Sequence, residues 1–145
     1  MINSKEFSCV VLKEVTHLKT LSRIFDTVFE AETNSAEETP LIQNPSLCAI
    51  GAMYENTIVG GLVAYELPLL NGTKEMYLYD IAILPDFQRR GIGTMLIATL
   101  KDEAKQRGAS TIFVEAEADD TAAVAFYRTL ESEEIAVRHF NISIP

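Results

Sequence analysis

Residues 75–107 read EMYLYDIAILPDFQRRGIGTMLIATLKDEAKQR, and this stretch predicts the centre of the fold. Its first part, Met76–Leu84, is almost continuously apolar, which is typical of a strand covered on both faces. Pro85 ends that strand, because proline has no N–H to donate to a neighbouring strand. From Thr94 to Arg107 apolar residues recur at helical spacing. The stretch therefore predicts a central strand, a short polar turn and a long helix.

The turn between strand and helix, QRRGIG at residues 88–93, predicts an anion-binding site. The first N–H groups of a helix have no partner within it, and the helix dipole adds about half a positive charge there. Arg89 and Arg90 beside such groups would cradle a diphosphate, whereas in a plain turn the same arginines would only be solvated. The turn is neither a P-loop, which needs a lysine, nor a dinucleotide fingerprint, because Leu96 stands where the third glycine belongs.

The same turn resembles the Q/R-x-x-G-x-G/A acetyl-CoA loop of the GNAT superfamily of N-acetyltransferases. The segments Ile81–Pro85 and Ala125–Arg128 are also similar to that superfamily. Within it, the chain most resembles the type I aminoglycoside 3-N-acetyltransferases over residues 29–142. That likeness rests on Phe29-Glu30, Ala64-Tyr65, Leu67-Pro68, Tyr77, Tyr79-Asp80, Ala123-Val124-Ala125, Tyr127 and His139-Phe140.

A length of 145 residues without linkers or repeats predicts a single α/β (α+β) domain over residues 1–145. The order of its elements predicts a mixed central sheet flanked by helices, with antiparallel strands first and then two parallel strands over 75–84 and 110–116. The resemblance implies in addition that the strand over 75–84 splays from the strand over 110–116. A bulge in the strand over 75–84 would leave backbone groups of residues 81–83 unpaired, and these groups could then bind the pantetheine arm of acetyl-CoA. The implied cofactor-binding residues are Ile81, Ala82, Ile83, Gln88, Arg89, Arg90, Gly91, Ile92, Gly93, Thr94, Asp120, Ala123, Phe126 and Tyr127.

Apolar periodicity and turn residues predict the remaining elements. Strands are expected over 6–13, 47–54, 58–67, 110–116 and a final 134–144. Helices are expected over 17–32, capped by Thr16, and over 41–45 and 121–130. The final strand offers an edge for pairing and the resembling enzymes are often dimers, so a homodimer is expected.

The overall composition limits the classes of binding partner that the protein can have. A net charge of −9 argues against nucleic acid and against anionic membranes, and it is compatible with a cationic small-molecule amine. No signal peptide and no membrane-spanning stretch are expected.

Cys9 and Cys48 lie in strand-like apolar runs, which favours small buried thiols in a cytoplasmic protein, although a disulfide between them stays open. His17 and His139 lack further ligands at metal spacing, so no metal is expected.

Asp80 is the candidate general base. It is the only charged residue between Met76 and Leu84, and a buried carboxylate is costly unless it is paired or takes part in chemistry. It could take the amine proton and hold a cationic substrate, or it could be a structural residue bonded to backbone N–H groups.

Tyr127 is the candidate acid, because the resemblance places its hydroxyl beside the CoA sulfur; the alternative is a core tyrosine. With no Cys–His pattern, direct transfer is expected.

The candidate substrate-binding residues are Glu30, Glu32, Glu66, Tyr79, Asp80 and Glu117. Carboxylates at strand and helix ends would attract a polycationic aminoglycoside, whereas most acidic loop residues are simply solvated. Two departures weaken the acceptor half of the resemblance: Glu131 follows Leu130 where a glycine is usual, and residues 117–119 read EAD where D-Y-G is usual. The expected function is acetylation of an aminoglycoside 3-amino group. The alternatives are acetylation of another amine, such as a polyamine, a small metabolite or a protein N-terminus, and a non-catalytic CoA-binding module.

Overall fold

The computed structural model describes residues 6–31 and 39–145, which form two compact units, residues 1–115 and 116–145. The expectation of a single domain over residues 1–145 stays a prediction. The first unit contains β1 (Phe7–Val11), α1 (Val15–Phe29), α2 (Thr39–Ile42), β2 (Leu47–Tyr54), β3 (Thr57–Pro68), β4 (Lys74–Ile83), a 3-10 turn (Pro85–Phe87), α3 (Ile92–Gln106) and β5 (Thr111–Val114). The second contains α4 (Thr121–Arg128).

The sheet has the order β1-β2-β3-β4-β5. The first three pairs are antiparallel and the last, β4 with β5, is parallel. Glu55 and Asn56 join β2 to β3 with φ angles of 48° and 65°, as a two-residue hairpin requires. The predicted mixed sheet flanked by helices is confirmed.

The helices α1 and α3 cover opposite faces of the sheet. Ala49 on β2 belongs to an apolar cluster with Leu18 and Leu21 of α1. Its neighbour Cys48 is buried close to the charges of Glu103 and Arg107 at the end of α3. Successive side chains of a strand point to opposite faces, so the two helices define an α1 face and an α3 face.

A bulge and a splay interrupt the sheet at the middle of β4. Val63 pairs with Asp80 and the next residue, Ala64, pairs with Leu78, so Tyr79 is an extra residue on β4. The pairing between β4 and β5 covers only Glu75–Leu78, so β4 beyond Leu78 is paired on its β3 side alone. We call the opening between β4 and β5 beyond Leu78 and Val114 the gap. It confirms the bulge and the splay that the resemblance implied.

Two predictions about the elements were wrong. Thr16 is not the cap of α1, because the helix begins at Val15 and Glu14 occupies the N-cap without a side-chain hydrogen bond. The final strand over 134–144 is not formed, and residues 132–145 adopt neither helix nor strand. Their apolar residues recur as in a strand, but strand structure also requires a partner, which periodicity does not supply. The remaining helices and strands overlap the predicted ranges, but α1 ends at Phe29 and not at residue 32, α2 spans Thr39–Ile42 and not 41–45, and β5 is shorter than expected.

Candidate functional site

The turn that precedes α3 is fastened to the end of β4. The Gln88 side-chain amide donates a hydrogen bond to the carbonyl oxygen of Ile83, with 2.8 Å between Nε2 and O. Arg89 and Gly91 both have positive φ angles, 59° and 80°. A Cβ atom at Gly91 would meet nothing within 4 Å, so the space beside the backbone there is open to a ligand.

The first turn of α3 presents backbone N–H groups. Gly91 is its N-cap and makes no side-chain capping bond, because glycine has no side chain. Ile92 is buried and anchors the start of the helix, while Thr94 is exposed. Together with Gly93, these residues form a helix start whose partial positive charge suits an anion. The residues present therefore fit the diphosphate of a coenzyme.

Arg90 is held beside this helix start by an aromatic cluster. Its guanidinium carbon lies 5.4 Å from the ring centre of Phe87, a cation–π contact. Phe87 in turn packs edge-on against Phe7 at 6.2 Å and against Tyr54 at 5.4 Å. Sequence reasoning missed Phe87, although its place one residue before the turn could have indicated it.

The backbone of β4 faces the gap at two predicted positions. Leu84 donates its N–H to the carbonyl oxygen of Val59 on β3 at 2.9 Å. Antiparallel pairs alternate in hydrogen bonding, so Ala82 also faces β3, whereas Ile81 and Ile83 direct their N–H and C=O groups away from it. Of the three predicted backbone positions, Ile81 presents its N–H and C=O toward the gap. Ile83 presents its N–H, while its carbonyl oxygen already accepts a hydrogen bond from Gln88. Ala82 directs its backbone groups toward β3, and the three predicted binding roles stay predictions.

Asp80 lies at the edge of the gap on the α1 face. It pairs with Val63, which pairs with Ala49 of the α1 cluster, and directly paired residues share a face. Burial raises the pKa of the Asp80 carboxyl above its ordinary value, because partial removal from water disfavours the charged form. A carboxylate with a raised pKa is a stronger base, as proton abstraction from an ammonium group requires.

An aromatic row adjoins Asp80 on the same face. It consists of Tyr65, Tyr77, Tyr79 and Phe113. Tyr79 lies edge-on to Tyr65 at 6.2 Å and to Tyr77 at 5.5 Å, and Tyr77 stacks on Phe113 at 4.7 Å with 9° between the rings. Burial, followed by the nearby charges of Asp80 and Tyr79, raises the pKa of Tyr65. The bulge residue Tyr79 is 60% exposed, so the row presents an accessible aromatic surface.

Only Tyr79 of this row was predicted as a site residue. Tyr65, Tyr77 and Phe113 lie in three different strands, and only the strand register brings them together. The presence of aromatic residues in three consecutive predicted strands was the signal that could have indicated this row.

Glu66 lies on the opposite face of the sheet from Asp80, and its role in substrate binding stays a prediction. It follows Tyr65 on β3 and therefore points to the α3 face. Its carboxylate lies 3.6 Å from Lys74 Nζ and 3.6 Å from Nη1 of Arg107. Arg107 also donates to the carbonyl oxygens of Pro45 and Leu47. Glu66 therefore joins the end of α3 to the sheet.

The other predicted acidic residues are less constrained. Glu30 is the exposed C-cap of α1, with a φ angle of 52° and its N–H bonded to the carbonyl oxygen of Asp26. Glu117 is exposed in the second unit. Glu32 lies outside the described residues. The roles of Glu30, Glu32 and Glu117 stay predictions.

Within the second unit, α4 carries Tyr127 and two other predicted cofactor residues, Ala123 and Phe126, and a further one, Asp120, is its N-cap. The Asp120 carboxylate caps the helix by accepting a hydrogen bond from the N–H of Ala123 at 3.1 Å. The rings of Phe126 and Tyr127 pack edge to face at 5.4 Å. Asp120 thus caps α4, and the predicted roles of Asp120, Ala123, Phe126 and Tyr127 at the cofactor stay predictions.

Neither cysteine is suited to nucleophilic catalysis. Both thiols are free. Burial raises the pKa of Cys48 to about 11, and burial also raises that of Cys9. Thiols with raised pKa values stay protonated near neutral pH and are poor nucleophiles. This supports direct transfer.

The described residues hold neither a grouped metal site nor a membrane-spanning helix. Among residues 6–31 and 39–145, no three His, Cys, Asp or Glu side chains are grouped as a metal site. In the same part of the chain, no helix has the length and apolar character that a membrane span requires.

Comparison with known sequences identifies related acetyltransferases. Residues 17–131 match the acetyltransferase (GNAT) family. Ribosomal protein bS18-alanine N-acetyltransferase of Salmonella typhimurium is 45% identical over 64 residues, which are 44% of this chain and 43% of that protein. The match thus spans less than half of that relative. A probable N-acetyltransferase of Drosophila melanogaster is 24% identical over 83% of this chain and 66% of its own.

Solved structures share the fold over nearly the whole chain. An aminoglycoside acetyltransferase from an uncultured soil metagenomic sample, in complex with sisomicin, has a TM-score of 0.92 at 28% identity, covering 97% of this chain and 98% of that one. A second aminoglycoside acetyltransferase from such a sample has a TM-score of 0.87 at 33% identity, covering 96% and 99%. GNAT acetyltransferases use acetyl-CoA, which confirms the predicted cofactor.

Proposed function

Because the chain belongs to the acetyltransferase (GNAT) family, we propose that it transfers an acetyl group from acetyl-CoA to the 3-amino group of an aminoglycoside of the gentamicin or sisomicin type. The observation that carries this proposal is the position of Asp80, a carboxyl with raised pKa at the edge of the gap and beside an exposed aromatic row. A structural neighbour at 28% identity that was solved with sisomicin supports the choice of acceptor.

The acetyl donor would be held by the backbone and by two arginines. The N–H groups of residues 92–94 and the side chains of Arg89 and Arg90 bind its diphosphate. Backbone groups of Ile81 and Ile83 bind the extended pantetheine arm. Acetyl-CoA supplies an activated acetyl group as a thioester.

Asp80 prepares the acceptor amine. It accepts a proton from the ammonium group, directly or through water, and so makes the amine nucleophilic. The Ile81 N–H, which faces the gap, offers a hydrogen bond to the carbonyl oxygen of the acetyl group. As the amine nitrogen forms the new C–N bond, the C–S bond of the thioester would break. The hydroxyl of Tyr127 would give its proton to the departing thiolate, and the proton that the nitrogen loses on becoming an amide would restore that hydroxyl. Both units are proposed to act together as one catalytic domain.

A second candidate acceptor is a protein N-terminus. This alternative is supported by the similarity to the bS18-alanine N-acetyltransferase of Salmonella typhimurium, which is 45% identical over 64 residues. A peptide N-terminus carries one ammonium group, whereas an aminoglycoside carries several on sugar rings. The aromatic row and the net charge of −9 suit the polycation better.

A panel of acceptors tests the proposal. Thiol release from acetyl-CoA is measured with sisomicin, gentamicin, spermidine and a peptide that begins with alanine. The proposal expects release with the two aminoglycosides, and NMR of the product should place the acetyl group on the 3-amino nitrogen. Release with the peptide alone would favour the second candidate. Calorimetric binding of acetyl-CoA without turnover of any amine would indicate a non-catalytic CoA-binding module.

The protein is further proposed to be a cytoplasmic homodimer. Apolar residues in the last part of the chain are 69–94% exposed: Ile135, Val137, Phe140, Ile142 and Ile144. Surface of this kind is costly in water unless a partner covers it. The strand β5 forms one edge of the described sheet, which a segment from a second copy can extend. The two free cysteines fit a reducing compartment.

A further inference from the structure

The gap has a carboxylate on each side, and both carboxylates lie on the α1 face. Asp80 is on the β4 side. Glu115 is on the β5 side, one residue beyond Val114, which is the last residue paired with β4. Tyr77 donates a hydrogen bond to Glu115, with 3.4 Å between its Oη and Oε1 of the carboxylate. Glu115 therefore shares the face of Tyr77 and of the aromatic row.

Two stacked aromatic rings, those of Tyr77 and Phe113, hold the Glu115 carboxylate in position. Tyr77 pairs with Phe113 across the parallel strands, and the two rings stack at 4.7 Å. Burial, followed by the charge of Glu115, raises the pKa of Tyr77, so its hydroxyl stays protonated and continues to donate. A stacked ring that donates to a carboxylate restricts where that carboxylate can point.

The distance between the two carboxylates suits one ring of a substrate. Glu115 is one residue and Asp80 is two residues beyond the last pair, Leu78 with Val114. With ~3.3 Å per residue and at least ~4.8 Å between strands, their Cα atoms are separated by at least ~6 Å, which the long side chain of Glu115 helps to span. Two amines on a single six-membered ring would reach both carboxylates while the ring lay over the exposed tyrosine Tyr79.

We propose that the aromatic row is the floor of the acceptor site and that Glu115 binds a second ammonium group of the acceptor, on the same ring as the amine that faces Asp80. This inference rests on the proposed function, and it narrows the acceptor to a ring with two amines. The aromatic faces attract ammonium groups by cation–π contact, and their flat surface suits a sugar-like ring. A peptide N-terminus, with one ammonium group, would leave Glu115 without a role in binding.

The kinetic test compares Glu115→Gln with the wild-type protein. With sisomicin as acceptor, KM should rise ~10-fold, as expected when a charged hydrogen bond is lost, while kcat stays within ~2-fold. With cyclohexylamine, which has a single amine, the substitution should change neither constant. Asp102→Asn removes the same charge from the exposed side of α3 and should change nothing. An unchanged KM for sisomicin in a folded Glu115→Gln protein would overturn the inference.

A binding measurement separates this inference from the proposed function. Calorimetry without acetyl-CoA compares 2-deoxystreptamine, a six-membered ring with two amines, with cyclohexylamine. The inference expects tighter binding of the diamine by the wild-type protein and loss of that advantage in Glu115→Gln. This result would support the inference even if no aminoglycoside were acetylated. Equal affinity for the two amines, or an advantage that survives in Glu115→Gln, would overturn it whatever the turnover assay shows.

Discussion

Asp80 is a carboxyl group on a central strand, where water is partly excluded and Tyr65 and Tyr79 lie nearby. Burial raises its pKa, so the folded chain binds the proton of this carboxyl more tightly than the unfolded chain does. The folding stability contributed by this group is therefore full at low pH and is lost as pH rises through the folded pKa. Above the folded pKa the ionised carboxylate costs stability, and the retention of an aspartate at this position is consistent with a role in chemistry.

Asp80→Asn should therefore lower activity and raise stability together. The loss of a general base should reduce kcat by ~10²–10⁴-fold. Acetyl-CoA affinity should stay within ~2-fold, because the cofactor contacts proposed above do not include this side chain. At pH 7 the midpoint of urea unfolding should rise relative to wild type, and the difference should shrink as pH falls through the raised pKa of Asp80 toward the ordinary value of 3.8.

Steady-state kinetics and urea titrations at pH 4, 5 and 7 measure both effects. An unchanged kcat would show that Asp80 is structural, and a lower midpoint at pH 7 would contradict the sign of its pKa shift.

At the scale of elements, β4, the turn and α3 form the unit that presents the cofactor site. The turn links an apolar strand to the uncapped N-terminus of a 15-residue helix, and Gln88 ties it back to Ile83. On the other face, α1 approaches the sheet closely at Gly61. There a Cβ atom would lie 2.5 Å from the Ile50 carbonyl oxygen and 2.6 Å from Leu21 Cδ1.

Replacement of both Arg89 and Arg90 by alanine should weaken acetyl-CoA selectively. Charged hydrogen bonds contribute ~1.5–3 kcal/mol each, so the Kd should rise at least ~10-fold. Acetyl-pantetheine, which lacks the diphosphate, should bind as it does to wild type. Calorimetry with both ligands gives the comparison. An equal loss for the two ligands would indicate general disruption of the fold.

Gly61→Ala should destabilise the protein by ~1–3 kcal/mol, because the new methyl group meets a backbone carbonyl that cannot move aside. Gly51→Ala on the paired strand is the matched control. Its methyl group would meet only the flexible end of Leu12, at 2.9 Å, so its loss should be smaller. Chemical denaturation of the two variants measures the difference. Equal losses would contradict the close packing of α1 on the sheet.

Local sequence patterns predicted the strand, the turn and the helix of this unit. The features that the sequence did not predict depend on contacts between strands of the sheet. Apolar runs and turn residues predicted β4, the turn and α3, since each depends on adjacent residues. The face of Glu66 and the aromatic row depend on the register between strands, which a single sequence does not show. The bulge at Tyr79 was expected only from the resemblance. The final strand was expected from alternation alone and lacks a partner within the described residues.

At the scale of the whole molecule, the sheet joins two kinds of binding surface. The gap connects the α1 face, which carries Asp80 and the aromatic row, with the backbone of β4 that is proposed to hold the cofactor arm. Acetyl donor and amine would then approach one another from different directions. The net charge of −9 would draw a polycation toward the protein, and screening by salt would weaken that attraction.

Light scattering tests the proposed homodimer. The mass in solution should be twice the 16.1 kDa of one chain. Ile142→Glu places a charge in the exposed apolar tail and should shift the population toward monomer, because a buried unpaired charge disfavours association. Glu133→Gln, a change at an exposed position before those residues, serves as the control. A monomer at micromolar concentration in the wild type would contradict the proposal.

The most direct test of the account is a crystal structure of the protein with acetyl-CoA. We propose that residues 88–94 hold the coenzyme diphosphate and that the thioester reaches the gap beside Asp80. We expect diphosphate oxygens within hydrogen-bond distance of the N–H groups that begin α3, with the acetyl group between β4 and β5. A coenzyme bound elsewhere, or no binding at saturating concentration, would contradict it.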